Sequence, residues 1–439
     1  MTEPTNPFTP SRRSLLTGSA AALGGASLAQ AASEPAQNPA AAPESDATAQ
    51  RQPFHGIHQP GIVTPRPATG MVAAFDVTAT SLDELERLLR LLSERIAFLM
   101  QGGPAPTADP GFPPPDSGIL GPVIAPDNLT VTVALGASLF DERFGLGPLK
   151  PKHLQRMKRF RNDALDGALC HGDLLLQFCA NTADTNIHAL RDILKNAPDL
   201  LVLRWKQEGT VPVLKPKQGG PAESARNLLG FRDGTANPDA ADRALMDHLV
   251  WVRNGSDEPE WAANGSYQVV RIIRNFVERW DRTPLGEQEA IMGREKASGA
   301  PFGGKREYDE PVYTDDPEGK RTKLDAHIRL ANPRRPETEG SRMLRRPFNY
   351  SNGATRAGQL DMGLLFICFQ QDLERSFIAV QKRLDGEPLE EYIKPVGGGY
   401  FFALPGVPDA GSQLGAGLIR AARSIASAST KTSPRKTGD

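Results

Sequence analysis

Apolar residues recur every three to four positions at Leu82, Leu85, Leu88, Leu89, Leu92, Ile96 and Leu99, which places them on one face of a helix. Ser81 and Glu84 precede that face in S-x-x-E spacing, so a capping box is predicted to start it. The run just upstream, MVAAFDVTA (Met71 to Ala79), is rich in β-formers and reads as a strand. Beyond a Pro/Gly loop (Gly102 to Pro126), LTVTVAL (Leu129 to Leu135) and DLLLQFCA (Asp173 to Ala180) predict two further strands. A helix over Thr185 to Lys195 and a strand LLVLRW (Leu200 to Trp205) follow. The order is β-α-β-β-α-β, the split pattern of a ferredoxin-like unit.

The second half of the chain has the same rhythm. YQVVRIIRNFV (Tyr267 to Val277) is a predicted strand and TPLGEQEAIMGRE (Thr283 to Glu295) a predicted helix. MLRRPFNYS (Met343 to Ser351) and MGLLFICFQ (Met362 to Gln370) are predicted strands, then a helix over Leu373 to Leu384 and a strand GGYFFAL (Gly398 to Leu404). Asp173 and Met362 open corresponding strand-helix-strand segments. The fold class expected is α+β, built from two duplicated ferredoxin-like halves. The halves are placed at 53–225 and 226–426, after a signal (1–31) and a leader (32–52) and before a flexible tail (427–439).

Fifty-one Lys+Arg against 52 Asp+Glu give a formal net charge of −1, which leaves no basic field for nucleic acid. Three cysteines in 439 residues exclude a disulfide-stapled scaffold. Cys179 and Cys368 lie in apolar strands at corresponding points of the two halves, and Cys170 stands at a strand entrance. All three are predicted to be structural, since a buried thiol packs as a small hydrophobe.

Arg12 and Arg13 are followed by an uncharged, small-residue stretch from Ser14 to Ala32 that ends in Ala29-Gln30-Ala31. Only Leu15, Leu16, Leu23 and Leu28 are strongly apolar there, too few for a span of ~20 predominantly apolar residues. The segment therefore reads as a twin-arginine export signal, cleaved near Ala31, and the protein as periplasmic or secreted with no stable membrane insertion.

Three segments carry candidate chemistry. In NLLGFRDGTANP (Asn227 to Pro238) Asp233 stands among glycines, on backbone that a ligand can approach. A surface turn is the plainer reading of its D-G and N-P dipeptides. A phosphatase D-x-D-G-T loop is excluded because Phe231 occupies the nucleophile position. In KLDAHIRLANPRRP (Lys323 to Pro336), His327 belongs to no zinc-type His or Cys spacing. It is either a packed histidine or the single axial ligand of a haem, with Arg329, Arg334 and Arg335 available for carboxylates. In SRMLRRPFNYSNG (Ser341 to Gly353), Arg345 and Arg346 alternate on a predicted strand, so one can face a pocket while the other faces outward; two solvated arginines on an edge strand are the plainer reading.

GFRDGTANP, HIRLANPR, LRR before FNYS, QLDMGLLFICFQ and KPVGGGYFFALPG, in this order, resemble the dye-decolourising (DyP-type) haem peroxidases. The match is nearest to the twin-arginine-exported deferrochelatase/peroxidase branch, the EfeB-like proteins of bacterial iron uptake. It runs from Phe54 to Gly406, and its one departure is Arg232, where that branch usually has Lys. The resemblance implies a barrel of two ferredoxin-like halves, the dimeric α+β barrel of DyP-type peroxidases, holding one haem b per chain. It implies His327 as axial iron ligand, Asp233 as the distal acid-base residue and Arg345 as the distal arginine. Gly234, Thr235 and Ala236 would line the haem on one side, and Asn332, Pro333 and Arg334 on the other, with Arg334 on a propionate.

The same resemblance implies hydrogen peroxide and a small reductant such as a dye as substrates, an acidic optimum, and a homodimer. Haem or porphyrin handling, with release of iron from an intact macrocycle, and contact with other iron-uptake components are further expectations. The competing readings are a haem carrier without activity and a chlorite-type haem enzyme of related fold. A distal carboxylate beside a distal arginine favours peroxide chemistry over both.

Overall fold

The computed structural model describes residues 47–214 and 222–432. The signal segment, the leader as far as residue 46 and residues 433–439 lie outside these. Strand β1 (Thr69–Val77) feeds α1 (Leu82–Gln101). The Ser81 hydroxyl caps α1 by accepting from the Glu84 amide. Glu84 does not return the bond to Ser81: its carboxylate accepts from the amide and hydroxyl of Thr80, one residue earlier. Leu85, Leu88, Leu89, Leu92 and Ile96 are fully buried, each contributing about 1.5–3 kcal/mol of apolar burial.

Strands β2 (Thr130–Gly136) and β3 (Leu174–Ala180), helix α2 (Ala183–Asn196) and strand β4 (Leu201–Thr210) complete the first half. The second half runs from β5 (Ser266–Asn275) through α3 (Leu285–Met292) and α4 (His327–Ala331). It continues with β6 (Phe348–Ala354), β7 (Leu360–Gln370), α5 (Ala379–Leu384), β8 (Ile393–Ala403) and α6 (Ala416–Thr432).

Each half pairs its strands antiparallel in one spatial order: β2-β3-β1-β4 in the first, β6-β7-β5-β8 in the second. Two seams join them. Phe401↔Gly136 through Ala403↔Ala134 link β8 to β2, and Thr210↔Asn349 links β4 to β6. The eight strands therefore close into a barrel in which the two halves share one sheet, as the family resemblance implies.

Several elements differ from their predicted form. Met343 to Ser351 is two strands, because Pro347 interrupts between the short Leu344–Arg345 and β6. Strand β8 starts five residues before Gly398 and carries Pro395 at a register shift, the place in a sheet where a missing N–H is tolerated. A Cβ on Gly398 (φ 119°) would meet the Val270 carbonyl at 2.0 Å, so only glycine fits there. Helix α3 stops at Gly293, whose φ of 82° is the left-handed stop expected of glycine. The helix predicted over Leu373 to Leu384 opens with a wide turn, Glu374–Ile378, before α5.

The tail predicted flexible from Ser427 is helical as far as Thr432, propagated from turns whose Leu418, Ile419 and Ala422 are buried. At the other end, the leader's last residues are fixed by bonds from Asp127 and Asn128 amides to the Thr48 and Gln50 carbonyls.

All three cysteines are free and buried. Cys179 packs with the side chains inside the barrel, whereas Cys368 packs with those outside it. Their positions are thus one residue out of step, which in a strand exchanges the two faces.

Outside the barrel, α1 (20 residues) and α2 (14 residues) cover the first half's sheet. Over its own sheet the second half carries short segments, α3 with 8 residues, α4 with 5 and α5 with 6, because its long helix α6 packs beside α1 instead. They cannot cover an equal sheet, and a hollow remains against its outer face.

Candidate functional site

That hollow is a cavity of about 280 Å³. Its floor is the outward set of three strands, including Arg271 and Ile273 of β5, Leu364 and Phe366 of β7, and Ile393 of β8. Val270, Ile272, Leu365 and Ile367 alternate with these and fill the barrel interior. Arg271 is fully buried and paired with the equally buried Asp163, which arrives from the first half.

The 227–238 loop makes one wall. The Asn227 carboxamide oxygen accepts from the amides of Leu229 and Phe231, and Gly230 turns the chain at φ 85°. Asp233, Gly234, Thr235 and Ala236 all border the cavity. The loop is locked to the Leu344–Arg345 strand because Asn237 accepts from the Arg345 amide (2.8 Å) and donates to its carbonyl (3.0 Å). This brings Arg345 Nη1 to 2.9 Å from Asp233 Oδ1. Thr235 donates to Glu307, and Arg232 is paired with Glu223 (2.5 Å).

His327 borders the same cavity as the first residue of α4. Its Nδ1 lies 2.7 Å from the Glu387 carboxylate, which is buried. Burial alone would lower the pKa of the imidazole, but the charge and hydrogen bond of Glu387 outweigh it and the net shift is upward. With Nδ1 engaged, Nε2 is the nitrogen free to serve as a ligand.

Asn332 and Arg334 line the cavity; Pro333, between them, does not. The Asn332 side chain accepts from the Arg334 amide, and Arg334 takes a positive φ of 55°. That turn carries Pro333 away from the wall. Arg335 is largely exposed, and Arg329 is committed to Asp316 and the Thr322 carbonyl. Of the three arginines offered for carboxylates, only Arg334 borders the cavity. Arg346 does point to the other face of its strand from Arg345, but it is buried instead of outward-facing, and it donates to the Thr64 carbonyl.

Three residues escaped the sequence reading. Glu387 is 60 positions from His327, and no periodicity links them. Arg294 and Tyr313 line the cavity beside Arg334, and Arg329 stacks on the Tyr313 ring at 4.9 Å. The Tyr313 hydroxyl is buried without a hydrogen-bond partner among the described residues. Burial raises its pKa, so it stays a proton donor. An unpaired buried hydroxyl of this kind costs about 1–3 kcal/mol unless a ligand satisfies it. No cysteine borders the cavity.

Known proteins are similar to this chain in sequence and in fold. The deferrochelatase of Escherichia coli (strain K12) is 58% identical over 414 residues, 94% of this chain and 97% of its own length. That of Shigella sonnei is 58% identical over 412 residues, with the same two coverages. Among solved structures, ferric DtpA from Streptomyces lividans matches with a TM-score of 0.76 and 36% identity, over 87% of this chain and 100% of that one. A DyP-type peroxidase from Cellulomonas bogoriensis gives 0.75 and 35%, over 85% and 99%. The N-terminal Dyp-type peroxidase family model matches residues 59–210 and the C-terminal one residues 224–408. The chain belongs to the Dyp-type peroxidase family and is a haem peroxidase.

Proposed function

We propose that the cavity holds one haem b per chain and that the protein uses it to reduce hydrogen peroxide while oxidising small organic or dye-like reductants. The donor set supports this fit. No group of three or more His, Cys, Asp or Glu among the described residues is placed to hold a bare metal ion. A single imidazole suits a metal whose other positions are already filled by a macrocycle. Apolar floor residues suit the ring, and the Arg294, Arg334 and Tyr313 wall suits its carboxylate edge.

Haem bound here would supply the redox-active iron and the electrons for O–O cleavage. His327 would hold it through Nε2, and Glu387 would fix the imidazole's orientation and make it a stronger donor. Asp233 takes a proton from one peroxide oxygen and returns it to the other, which leaves as water. Arg345 turns from Asp233 to meet the negative charge developing on that oxygen. The Asp233–Arg345 pair is the observation that carries the reading, since a carrier needs no acid-base residue beside a cation.

The test is an optical titration of the haem-reconstituted protein. A Soret band that shifts on peroxide addition and returns with dye oxidation supports the peroxidase. A band indifferent to peroxide would leave a carrier, and no band at all would refute the site.

Release of iron from haem, with the macrocycle intact, is the second activity in this reading, supported by the identity to deferrochelatases. It requires protons to take the metal's place at the pyrrole nitrogens, and Asp233 is the proton donor at hand. Porphyrin fluorescence appearing no faster than with His327→Ala would remove this activity and leave the peroxidase. Twin-arginine export to the periplasm, supported by Arg12-Arg13 and the Ala-x-Ala site, puts the protein where haem and iron are taken up. No helix among the described residues is long and apolar enough to cross a membrane. A homodimer and contact with other iron-uptake components rest on the family resemblance alone.

A further inference from the structure

Among the described residues Arg346 alone has both Nε and Nη2 buried without a hydrogen-bond partner. These two nitrogens share one edge of the planar guanidinium, the fork with which arginine grips an anion through parallel bonds. The third nitrogen, Nη1, donates to the Thr64 carbonyl. The residue is 5% exposed. Leu344, two positions earlier and so on the same face of the chain, packs with the barrel interior. Arg66 crosses Arg346: its Nη1 donates to the Pro347 carbonyl, and its guanidinium lies 5.7 Å from the centre of the Phe348 ring. Neither guanidinium is ion-paired among the described residues.

A buried cation without a counter-charge is costly, so protein interiors that hold one pair it with an anion. The side chain that acts on Arg346 is the Cys179 thiol. Burial raises the pKa of that thiol in spite of both arginines, so it stays uncharged and is only a weak acceptor. Thr130, the register partner of Cys179 on β2, faces the same interior, and its hydroxyl is also buried without a partner among the described residues. Packing around these groups is close. A Cβ on Gly70, the register partner of Cys179 on β1, would meet the Phe348 ring at 2.3 Å, and one on Gly61 would meet the Thr130 hydroxyl at 3.0 Å. An occupant must therefore be small. We propose that the Arg346 fork binds a small monovalent anion of chloride size inside the barrel, behind Arg345, with the Thr130 hydroxyl as a further donor and Arg66 as the second cation. The ion and Asn237 then hold the two-residue Leu344–Arg345 strand from opposite faces. This site stands apart from the cavity and does not depend on the peroxidase reading.

The test uses the haem-loaded protein and bromide, which scatters anomalously and takes the place of chloride. Crystals soaked in bromide should show an anomalous peak within hydrogen-bond reach of Arg346 Nε and Nη2, and crystals of Arg346→Met should lack it. In solution the melting temperature should rise by about 2 °C for each tenfold increase in bromide, at an ionic strength held constant with the bulkier gluconate. That slope should vanish in Arg346→Met and be shallower in Arg346→Lys, which keeps the charge without the fork. Density at the fork with no anomalous signal would mean water and overturn the proposal. A peak in the crystal with a flat melting response would mean an adventitious ion only, and would overturn it too. So would an infrared spectrum lacking the Cys179 S–H stretch, identified by difference from Cys179→Ala, because the thiolate would then be the counter-charge. If Arg346→Met does not fold, the wild-type peak and slope still decide. A chain that takes up no haem would count against the peroxidase reading and leave these readouts to decide the anion site.

Discussion

Glu387 Oε2 and His327 Nδ1 lie 2.7 Å apart across 60 residues of sequence. The carboxylate is buried and reaches the imidazole from the turn after α5. It fixes which nitrogen faces the cavity and lends the ring negative charge. Glu387→Gln keeps the shape and removes the charge. Haem should then bind about 10–100-fold more weakly, and its reduction potential should rise because the axial donor is poorer. Haem titration and potentiometry check both, and an unchanged potential would detach Glu387 from the axial ligand.

The Asp233–Arg345 pair divides proton transfer from charge stabilisation. Asp233→Asn should slow the reaction with peroxide by about 10²–10⁴-fold, and Arg345→Leu by about 10²–10³-fold. Stopped-flow at one pH ranks them. An Asp233→Asn protein that reacts at the wild-type rate would remove Asp233 as the base and leave the arginine as the principal group.

Tyr313 should act on the carboxylate edge of the ring. Tyr313→Phe deletes one buried donor and little volume, so haem affinity should fall by about 1–3 kcal/mol, roughly five- to 150-fold. Haem dimethyl ester, whose edge carries no charge, should lose much less. Equal losses for the two ligands in a spectroscopic titration would place the effect on ring packing instead.

Asp163 and Arg271 form a pair in which both side chains are 1% exposed. Removing only the acid strands a buried guanidinium in the cavity floor. Asp163→Ala should cost about 3–5 kcal/mol in chemical denaturation, and a loss within 1 kcal/mol would mean that water reaches Arg271.

Much of the molecule was legible because its signals are local. Helical spacing at Leu82 to Leu99, alternation in the strands and the glycines around Asp233 each depend on a few neighbouring residues, and each became the element or loop expected. The same locality explains the errors. Pro347, Pro395 and the wide turn at Glu374–Ile378 shift element ends, and the two cysteines exchanged faces through a one-residue difference in register.

What only the tertiary structure decided is everything that pairs distant residues. Asp233 and Arg345 are 112 positions apart, and His327 and Glu387 are 60. Barrel closure rests on one residue pair, Thr210↔Asn349, and a short ladder from Phe401↔Gly136. Order along the chain determined two ferredoxin-like halves, and the motifs determined which residues were candidates. Whether Pro333 reached the wall, whether Arg346 was outside, and that Glu387, Tyr313 and Arg294 belonged at all depended on packing. A sequence period records which face a side chain takes within its own element. It carries no information about what another element, folded back from far along the chain, brings against that face.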